Sequence, residues 1–256
     1  MSDQGSLLLS VRGEARQTVP PDYAVLSATL AVTRDSKAQA LSASAAALDR
    51  VTAGLAALGG VTLGPDTGRQ PLTWSGRSAG THPEHRHNPE TGQREPTGQV
   101  RATVSIAITV RDFGLLDRVG ASLAAHEDLS VHAVSWDVDW DNPAWPQVRA
   151  AAIQAAIGKG RDYAAALGGS LRSVEHIADA GLLGGTDTPA GFTTVGRAAR
   201  TASLAAESDT PSLDPVPQEL TAIIDARLTA DGVSVSGRFR AFAQAAMPES
   251  TPGYAS

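Results

Sequence analysis

Apolar and polar residues alternate along several stretches of the chain, and this period of two is typical of β-strands that bury one face. In the clearest stretch every second residue from Val100 to Val110 is apolar. Another stretch follows Val19-Pro20-Pro21-Asp22, where the prolines break the chain because neither can donate a backbone hydrogen bond to a sheet. The predicted strands are 6–14, 23–33, 61–74, 100–110, 131–140, 171–180, 220–228 and a last one carrying Val233, Val235 and Phe239.

The first predicted helix begins after Ser36. Ser36 and Gln39 have the spacing of a capping box, in which each side chain satisfies a free backbone N–H. The helix ends at Gly59-Gly60, since glycine adopts the left-handed cap conformation without penalty. Leucine recurs every seven residues in between, at Leu41, Leu48 and Leu55. We expect this leucine stripe to be the core face of the helix, with an intersubunit seam as the alternative.

Two further helices are predicted from the same kinds of signal. One covers about 112–125, and a longer one begins at Asn142-Pro143, with the asparagine as cap and the proline at the first helical position. The longer helix stops at Gly168-Gly169. Gly158 and Gly160 each cost about 1 kcal/mol relative to alanine inside a helix, so we expect both to allow the close approach of another backbone. Its predicted apolar face holds Ile153, Ile157, Gly160, Ala164 and Leu167.

The order of these elements predicts the fold class. From Tyr23 to Trp140 it is strand, helix, strand, strand, helix, strand, which is the split β-α-β-β-α-β arrangement. We therefore predict an α+β fold of antiparallel or mixed sheets with the helices packed on one face. The long helix and the C-terminal strands are expected to extend or duplicate this layer.

The length allows one large domain or two small ones. We expect residues 1–240 to form a single domain, with possible sub-halves at 1–110 and 111–240, and 241–256 to be a disordered tail. Residues 183–217 are rich in Gly, Thr, Ser and Pro and predict a long loop.

Composition excludes several classes of function. The net charge is −6 without a cluster of Lys and Arg, which argues against a nucleic-acid partner. The absence of cysteine excludes disulfides and cysteine-based zinc sites. The apolar run Leu7–Leu9 is too short for a signal peptide, and no segment approaches the about 20 apolar residues of a membrane span. We expect a cytoplasmic protein without a membrane span.

A serine motif lies in a stretch with no aliphatic residue larger than alanine, residues 75–97, which we expect to be a mobile loop. Gly76–Gly80 matches G-x-S-x-G, with Ser78 at the position of a nucleophile. That chemistry requires a strand before the serine and a helix after it, and no helical pattern follows. We expect an accidental match, with a serine hydrolase that uses the 76–90 loop as the alternative.

Three histidines, His82, His85 and His87, lie close together in the same stretch. Neutral imidazoles are good ligands for zinc, copper and nickel, so they are a candidate metal site for a metal-assisted hydrolase or a metal-buffering protein. A stable site requires ligands held in a fixed geometry, and this stretch has nothing apolar to hold them. We therefore expect a solvated loop, with neither a metal nor another cofactor.

Asp137, Asp139 and Asp141 have the spacing that opens a calcium-binding loop. That loop also needs a glycine next and a bidentate glutamate at its twelfth position, and the chain has neither there. We expect the aspartates to form the solvent face of a strand whose other face buries Trp136 and Trp140.

Several of these elements, in this order, resemble the SIMPL domain family over about residues 7–240. The resemblance is carried by Gly13-Glu14-Ala15, Pro21-Asp22-Tyr23-Ala24, Leu58-Gly59-Gly60, the strand Val100 to Val110 with Asp112, the helix Ala150 to Leu167-Gly168 and the strand after Val216-Pro217. It implies an α/β protein that builds large oligomers. It also implies loose links to stress tolerance and, in animals, to kinase signalling.

The SIMPL family has no established catalytic residues, so the resemblance assigns none to this chain. Many members are exported, whereas the N-terminal sequence here predicts no signal peptide. We expect a non-catalytic, self-associating binding or scaffold protein, a homo-oligomer whose further partner is a protein or a small molecule. The competing hypothesis is the serine or metal-assisted hydrolase.

Overall fold

The computed structural model describes residues 6–87, 89, 92–182 and 214–233. Within them it is an α+β protein of two sheets with helices packed against the strands, which confirms the predicted fold class. The chain divides into two compact units. The described residues of the central unit are those within 18–142 together with 214–218, and those of the flanking unit are 6–17, 143–182 and 219–233.

The helices and strands are defined by backbone hydrogen bonds, and a 3-10 turn at Phe113–Leu115 precedes the second helix. In chain order the elements are β1 (Leu7–Val19), β2 (Tyr23–Arg34), α1 (Lys37–Ala57), β3 (Val61–Thr62), β4 (Leu72–His87), β5 (Arg94–Val110), α2 (Leu116–Ala124), β6 (Leu129–Asp137), α3 (Ala144–Ala166), β7 (Ser170–Asp179) and β8 (Gln218–Asp231).

The central unit has the predicted split β-α-β-β-α-β topology. Its sheet has the order β3-β4-β5-β2-β6, and every neighbouring pair is antiparallel except β3 with β4. Without the two-residue β3, the order is the one expected when two β-α-β halves interleave. The inward residues of β2 and β5 pack with α1 and α2 in one hydrophobic core, which includes Leu26, Leu30, Val51, Leu55, Ile106, Ile108, Val119 and Leu123.

Helix α1 begins and ends where the sequence predicts, but its core face differs from the leucine stripe. The Ser36 hydroxyl accepts a hydrogen bond from the Gln39 N–H at 3.3 Å, and Gly59 adopts a φ of 83°. Leu55 is fully buried, whereas Leu41 is 44% exposed. A seven-residue repeat drifts by about 20° per heptad on a straight helix, so two heptads turn Leu41 away from the core. The buried positions are Ala40, Ser44, Ala47, Val51 and Leu55.

The described residues of the expected mobile loop at 75–97 lie mostly in two paired antiparallel strands. Strands β4 and β5 pair from Leu72 opposite Val110 to His87 opposite Arg94, with bulges near Gly76 and Pro83. The loop prediction was wrong because apolar alternation indicates only strands that bury one face. These strands are polar, and backbone hydrogen bonds between them hold them together. Pro83 lies beside a bulge on the outer strand, where a missing N–H is tolerated. We call the two-stranded part beyond the end of β2, described residues 84–87 and 94–99, the arm.

The flanking unit contains a second sheet of order β1-β8-β7 with α3 packed against it. The predicted strands at 171–180 and 220–228 are both present, and the inward residues of β8 from Leu220 to Ala230 are buried. The predicted face of α3 was partly wrong, since Ile153 and Ile157 are only half-buried. Every fourth residue is buried instead, namely Ala144, Val148, Ala152, Ala156, Gly160 and Ala164.

Small residues let α3 lie close to the strands. A Cβ at Gly13 of β1 would overlap the Ala152 carbonyl oxygen and lie 2.7 Å from the Ala156 nitrogen. Gly160 faces the Leu228 side chain, not a backbone, and nothing lies within 4 Å of a Cβ at Gly158. The close backbone approach expected at Gly158 and Gly160 therefore occurs at Gly13.

Other boundaries correct the sequence predictions. Strand β6 ends at Asp137, and Trp140 is 83% exposed, so the expected burial of Trp140 was wrong. Asn142 does not cap α3 with its side chain. Residues 183–213 of the expected loop at 183–217 lie outside the described residues. The last predicted strand beyond Val233 and the tail at 241–256 lie outside them too. Among the described residues, no helix is long and apolar enough to span a bilayer.

The close approach at Gly13 generates a stability prediction. Gly13→Ala should lower the free energy of unfolding by about 1–3 kcal/mol, because the added methyl group overlaps a helix backbone that cannot move aside. Gly158→Ala is the matched control and should raise stability by up to about 1 kcal/mol, since the site is open and helical. Urea unfolding of both variants measures the difference. A Gly13→Ala variant as stable as the parent would show that β1 and α3 are not in this contact.

Candidate functional site

The best-organised polar site of the central unit lies at one end of its sheet, where two strands end and the strand between them begins. Arg111 follows the last residue of β5, Asp22 precedes β2, and Asp139 lies two residues after β6. The register places Val110 opposite Ala24 and Asp137 opposite Tyr23, so these three side chains converge. Arg69 and Asp141 complete what we call the aspartate–arginine cluster.

Arg111 forms a two-pronged ion pair at the centre of the cluster. Its Nη1 and Nη2 atoms donate to the two Asp139 carboxylate oxygens at 2.7 and 2.9 Å, and its Nε donates to the Gly68 carbonyl oxygen at 2.8 Å. The guanidinium carbon lies 4.7 Å from the centre of the Tyr23 ring. The Arg111 and Asp139 side chains are only 19% and 14% exposed. This geometry matches the planar fork of arginine to a carboxylate, which makes the pair directional as well as charged.

The other carboxylates of the cluster also have partners. Asp22 accepts hydrogen bonds from the Asp139 backbone N–H and the Asn142 side-chain amide, both at 2.8 Å. This contact explains why Asn142 does not cap α3. Arg69 pairs with Asp141, and its Nη1 lies 3.6 Å from Asp139. Asp22 and Asp139 therefore hold the turn after β6 against the start of β2.

Both charges of the central pair are stabilised in the folded protein. The hydrogen bond from Arg111 lowers the pKa of Asp139, and this outweighs the opposing effect of burial. The same hydrogen bond raises the pKa of Arg111 above its ordinary value. The pair therefore remains ionised in weakly acidic solution.

This arrangement corrects the prediction for Asp137, Asp139 and Asp141. They were expected on the solvent face of a strand, but Asp137 is buried and the other two lie in the turn beyond β6. The calcium-loop hypothesis requires free carboxylate oxygens. Here Arg111 and Arg69 engage the Asp139 and Asp141 carboxylates. Within the described residues, no group of three or more His, Asp or Glu side chains is placed to hold a metal ion.

Ser78 lies within β4, opposite Ser105, and is exposed. The nucleophile elbow needs a sharp turn from a strand into a helix, and β4 continues to His87. His82, the nearest downstream histidine, is four residues further along the strand, a Cα separation of about 13 Å. The extended strand therefore keeps Ser78 and His82 beyond hydrogen-bonding distance of each other.

His82, His85 and His87 lie along the exposed length of β4. A bulge near Pro83 separates His82 from the other two. His85 and His87 share a face of the strand because side chains two residues apart point the same way. His87 lies opposite Arg94, whose charge repels a cation. The three imidazoles are not gathered into one site.

The central unit also has two shallow cavities with polar walls. One of about 190 Å³ lies between α1 and the loop before β6, and Arg50, His126 and Asp128 contribute to its wall. The other, of about 270 Å³, lies on the arm beside His87 and Glu95.

Sequence reasoning missed most of the aspartate–arginine cluster. It singled out Asp139 and Asp141 but gave no role to Arg111 or Arg69. It treated Asp22 only as part of the segment that separates the first two strands. The one available signal was that charged residues, Arg111 and Asp139, follow the ends of β5 and β6, the two strands that flank β2.

Two comparisons with known proteins bear on this chain. The family model for SIMPL, described as a protein of unknown function (DUF541), matches residues 9–228. A search of curated proteins found no match.

The cluster predicts a pH dependence of stability. Asp139→Asn should lower the free energy of unfolding by about 1–3 kcal/mol at neutral pH, because a charged hydrogen-bonded pair is lost. The Asp139 pKa is lower in the folded protein, so its contribution is complete above the ordinary carboxyl pKa of about 4 and is lost as the pH falls through the lower folded value. The difference between parent and variant in urea unfolding should therefore shrink in acid.

Asp141→Asn is the matched control for this prediction. Its partner Arg69 is 67% exposed, so the change should cost less than about 1 kcal/mol. A difference between parent and Asp139→Asn that is the same at every pH would contradict the assignment of this ion pair.

Proposed function

We propose that this chain, which belongs to the SIMPL family, is a non-catalytic protein that self-associates and acts as a binding or scaffold module. The observation that supports self-association best is the set of free strand edges. Among the described residues, β7 has a neighbour only on one side, and β4 has none on its outer side beyond Trp74. Such an edge presents unpaired backbone N–H and C=O groups, which can pair with another chain.

The arm supports a binding role. Nearly all of its residues are exposed, and it is a two-stranded ribbon beyond the cover of β2. A two-stranded hairpin is marginally stable alone in water, so contact with a partner would stabilise it. Arg86 and Glu95 face each other across the strands, which gives the arm a polar surface of mixed charge. A protein or a polar small molecule fits such a surface better than an apolar ligand.

Geometry favours this proposal over a hydrolase. Catalysis by a serine requires a base within hydrogen-bonding distance and a donor for the developing oxyanion. Ser78 lies in the middle of a strand that continues to His87, without the turn into a helix that exposes a nucleophilic serine. The resemblance to SIMPL proteins also motivates a role in stress tolerance, which remains part of the proposal.

Self-association predicts the mass of the purified chain. Light scattering at micromolar concentration should give a multiple of the 26.3 kDa subunit. The physical reason is that pairing of a free strand edge buries backbone groups and exposed side chains together. Dilution should lower the mass, because association depends on concentration. A mass of one subunit at all concentrations would refute self-association.

The exposure of the arm predicts that the rest of the central unit folds without it. Replacing residues 84–99 by Asn-Gly, so that a tight turn joins Pro83 and Val100, should leave the core intact. The free energy of unfolding should change by no more than about 1–2 kcal/mol. The arm buries little surface, and closing a shorter loop has a smaller entropic cost. Thermal melts measure this effect. Unfolding of the variant would show that the arm is part of the folding core.

The same variant, together with Ser78→Ala, tests the competing enzyme hypothesis. The arm contains His85 and His87, whereas Ser78 and His82 remain in the shortened chain. Ester hydrolysis should be at the same background level in the parent and both variants. A hydrolytic rate in the parent that either change abolishes would refute the non-catalytic proposal, and the variant affected would identify the group responsible.

A further inference from the structure

The outer edge of β7 is nearly all exposed and is partly apolar. Val174 and Ile177 are each 42% exposed, although aliphatic side chains on a strand are usually covered. Among the described residues, β7 pairs with β8 on its inner side and with no strand on its outer side. A free edge with exposed β-branched residues is a strong candidate for pairing with another strand.

The two apolar residues of β7 lie on the same side of the sheet. Val174 is opposite Leu228 and Ile177 is opposite Ala226. Leu228 contacts Gly160 of α3, so this is the helix-covered side. The exposure of Val174 and Ile177 shows that α3 leaves these two side chains partly uncovered.

A polar pair lies on the opposite side of the same strand. The Glu175 carboxylate accepts hydrogen bonds from the hydroxyls of Ser173 and Thr229 at 2.7 and 3.0 Å. Thr229 neighbours Leu228 in β8 and therefore points to the side away from α3. His176 is on that side too, because it lies opposite Arg227, which alternates with Leu228. The bulge between Val174 and His176 lets the consecutive residues Glu175 and His176 share this side. Thus β7 has one apolar and one polar pair, each confined to one side.

We propose that two copies of this chain join edge to edge through β7, antiparallel about a two-fold axis that passes between Glu175 and His176. This inference rests on the proposed self-association and names its surface. In this register Val174 faces the partner's Ile177, and Glu175 faces the partner's His176. A two-fold axis makes each of these contacts twice. The paired residues share a side of the sheet, as antiparallel pairing requires.

Neighbouring registers lose this match. An axis through Glu175 places Val174 opposite the partner's His176, and an axis through His176 places Glu175 opposite the partner's Ile177. Each would bring an apolar side chain against a polar one. The complementarity of the strand with itself favours a second copy of the chain as its partner.

The free edge of β4 is a weaker candidate for the same role. Pro83 lies on it and has no N–H to donate, and the strand is interrupted by two bulges. Strand β7 also has two bulges, after Leu171 and Val174, but it contains no proline. Proline and polar residues are typical of edges that are protected from pairing.

Because the chain has no cysteine, disulfide cross-linking can test the register directly. The variant Val174→Cys/Ile177→Cys should form a disulfide-linked dimer on mild oxidation, since opposite residues in an antiparallel pair have Cα atoms about 4.5–5.5 Å apart. The same two positions within one strand are about 10 Å apart and cannot bridge. The control Val174→Cys/His176→Cys is out of register and should cross-link at least about tenfold more slowly.

A second variant tests the apolar pair without cysteine. Ile177→Lys should raise the dissociation constant of the assembly by about tenfold or more, because the lysine must be desolvated against the partner's Val174. Leu182→Lys is the matched control, since Leu182 is 71% exposed and lies outside β7, and it should leave the mass unchanged. Circular dichroism melts establish that both variants fold.

The outcomes separate this inference from the proposed function. A parent that is oligomeric, with no cross-link in register and no effect of Ile177→Lys, would overturn the β7 interface and leave self-association standing. A parent that is monomeric would overturn both. Cross-linking of the out-of-register control at the same rate as the test variant would refute the register. Selective cross-linking together with dissociation by Ile177→Lys would establish the interface.

Discussion

The architecture of the central unit depends on the ion pair between Arg111 and Asp139. These residues follow the ends of β5 and β6, and Asp22 reaches the same point from the start of β2. Three chain segments that leave or enter the sheet are therefore fixed to one another by directional hydrogen bonds between charged groups. Tyr23 shields one side of the guanidinium, so the pair is largely removed from water and salt. Screening weakens such a pair much less than an exposed one.

The packing of the flanking unit depends on small side chains, whereas an ion pair organises the central unit. Aromatic residues make up only 4% of the chain, so α3 packs on its sheet through alanine and glycine at every fourth position. The small side chains bring the helix close enough for Gly13 to contact its backbone.

The features that were predictable from sequence are those with a local cause. The cap at Ser36, the glycine stops, and the alternation in β2, β5 and β8 each follow from a few neighbouring residues. The arm was not predictable, because its strands are exposed on both faces and show no apolar alternation. The pairing of Arg111 with Asp139 was not predictable either, since it joins residues 28 positions apart and depends on the sheet register. The true face of α3 was obscured because alanine signals burial weakly, whereas Ile153 and Ile157 attract attention at its flank.

The position of β8 between β1 and β7 has a consequence for how the chain folds during synthesis. The sheet joins the first and last described strands, and the ion pair between Arg12 and Asp225 spans 213 residues. The elements of the central unit, by contrast, are contiguous in the chain. Non-local pairing is slow because a long loop must close before any contact stabilises it. On the ribosome, the central unit can therefore fold before β8 has been synthesised, and β1 stays without its partner strand until then. We expect chaperones to bind the nascent chain at this unpaired strand.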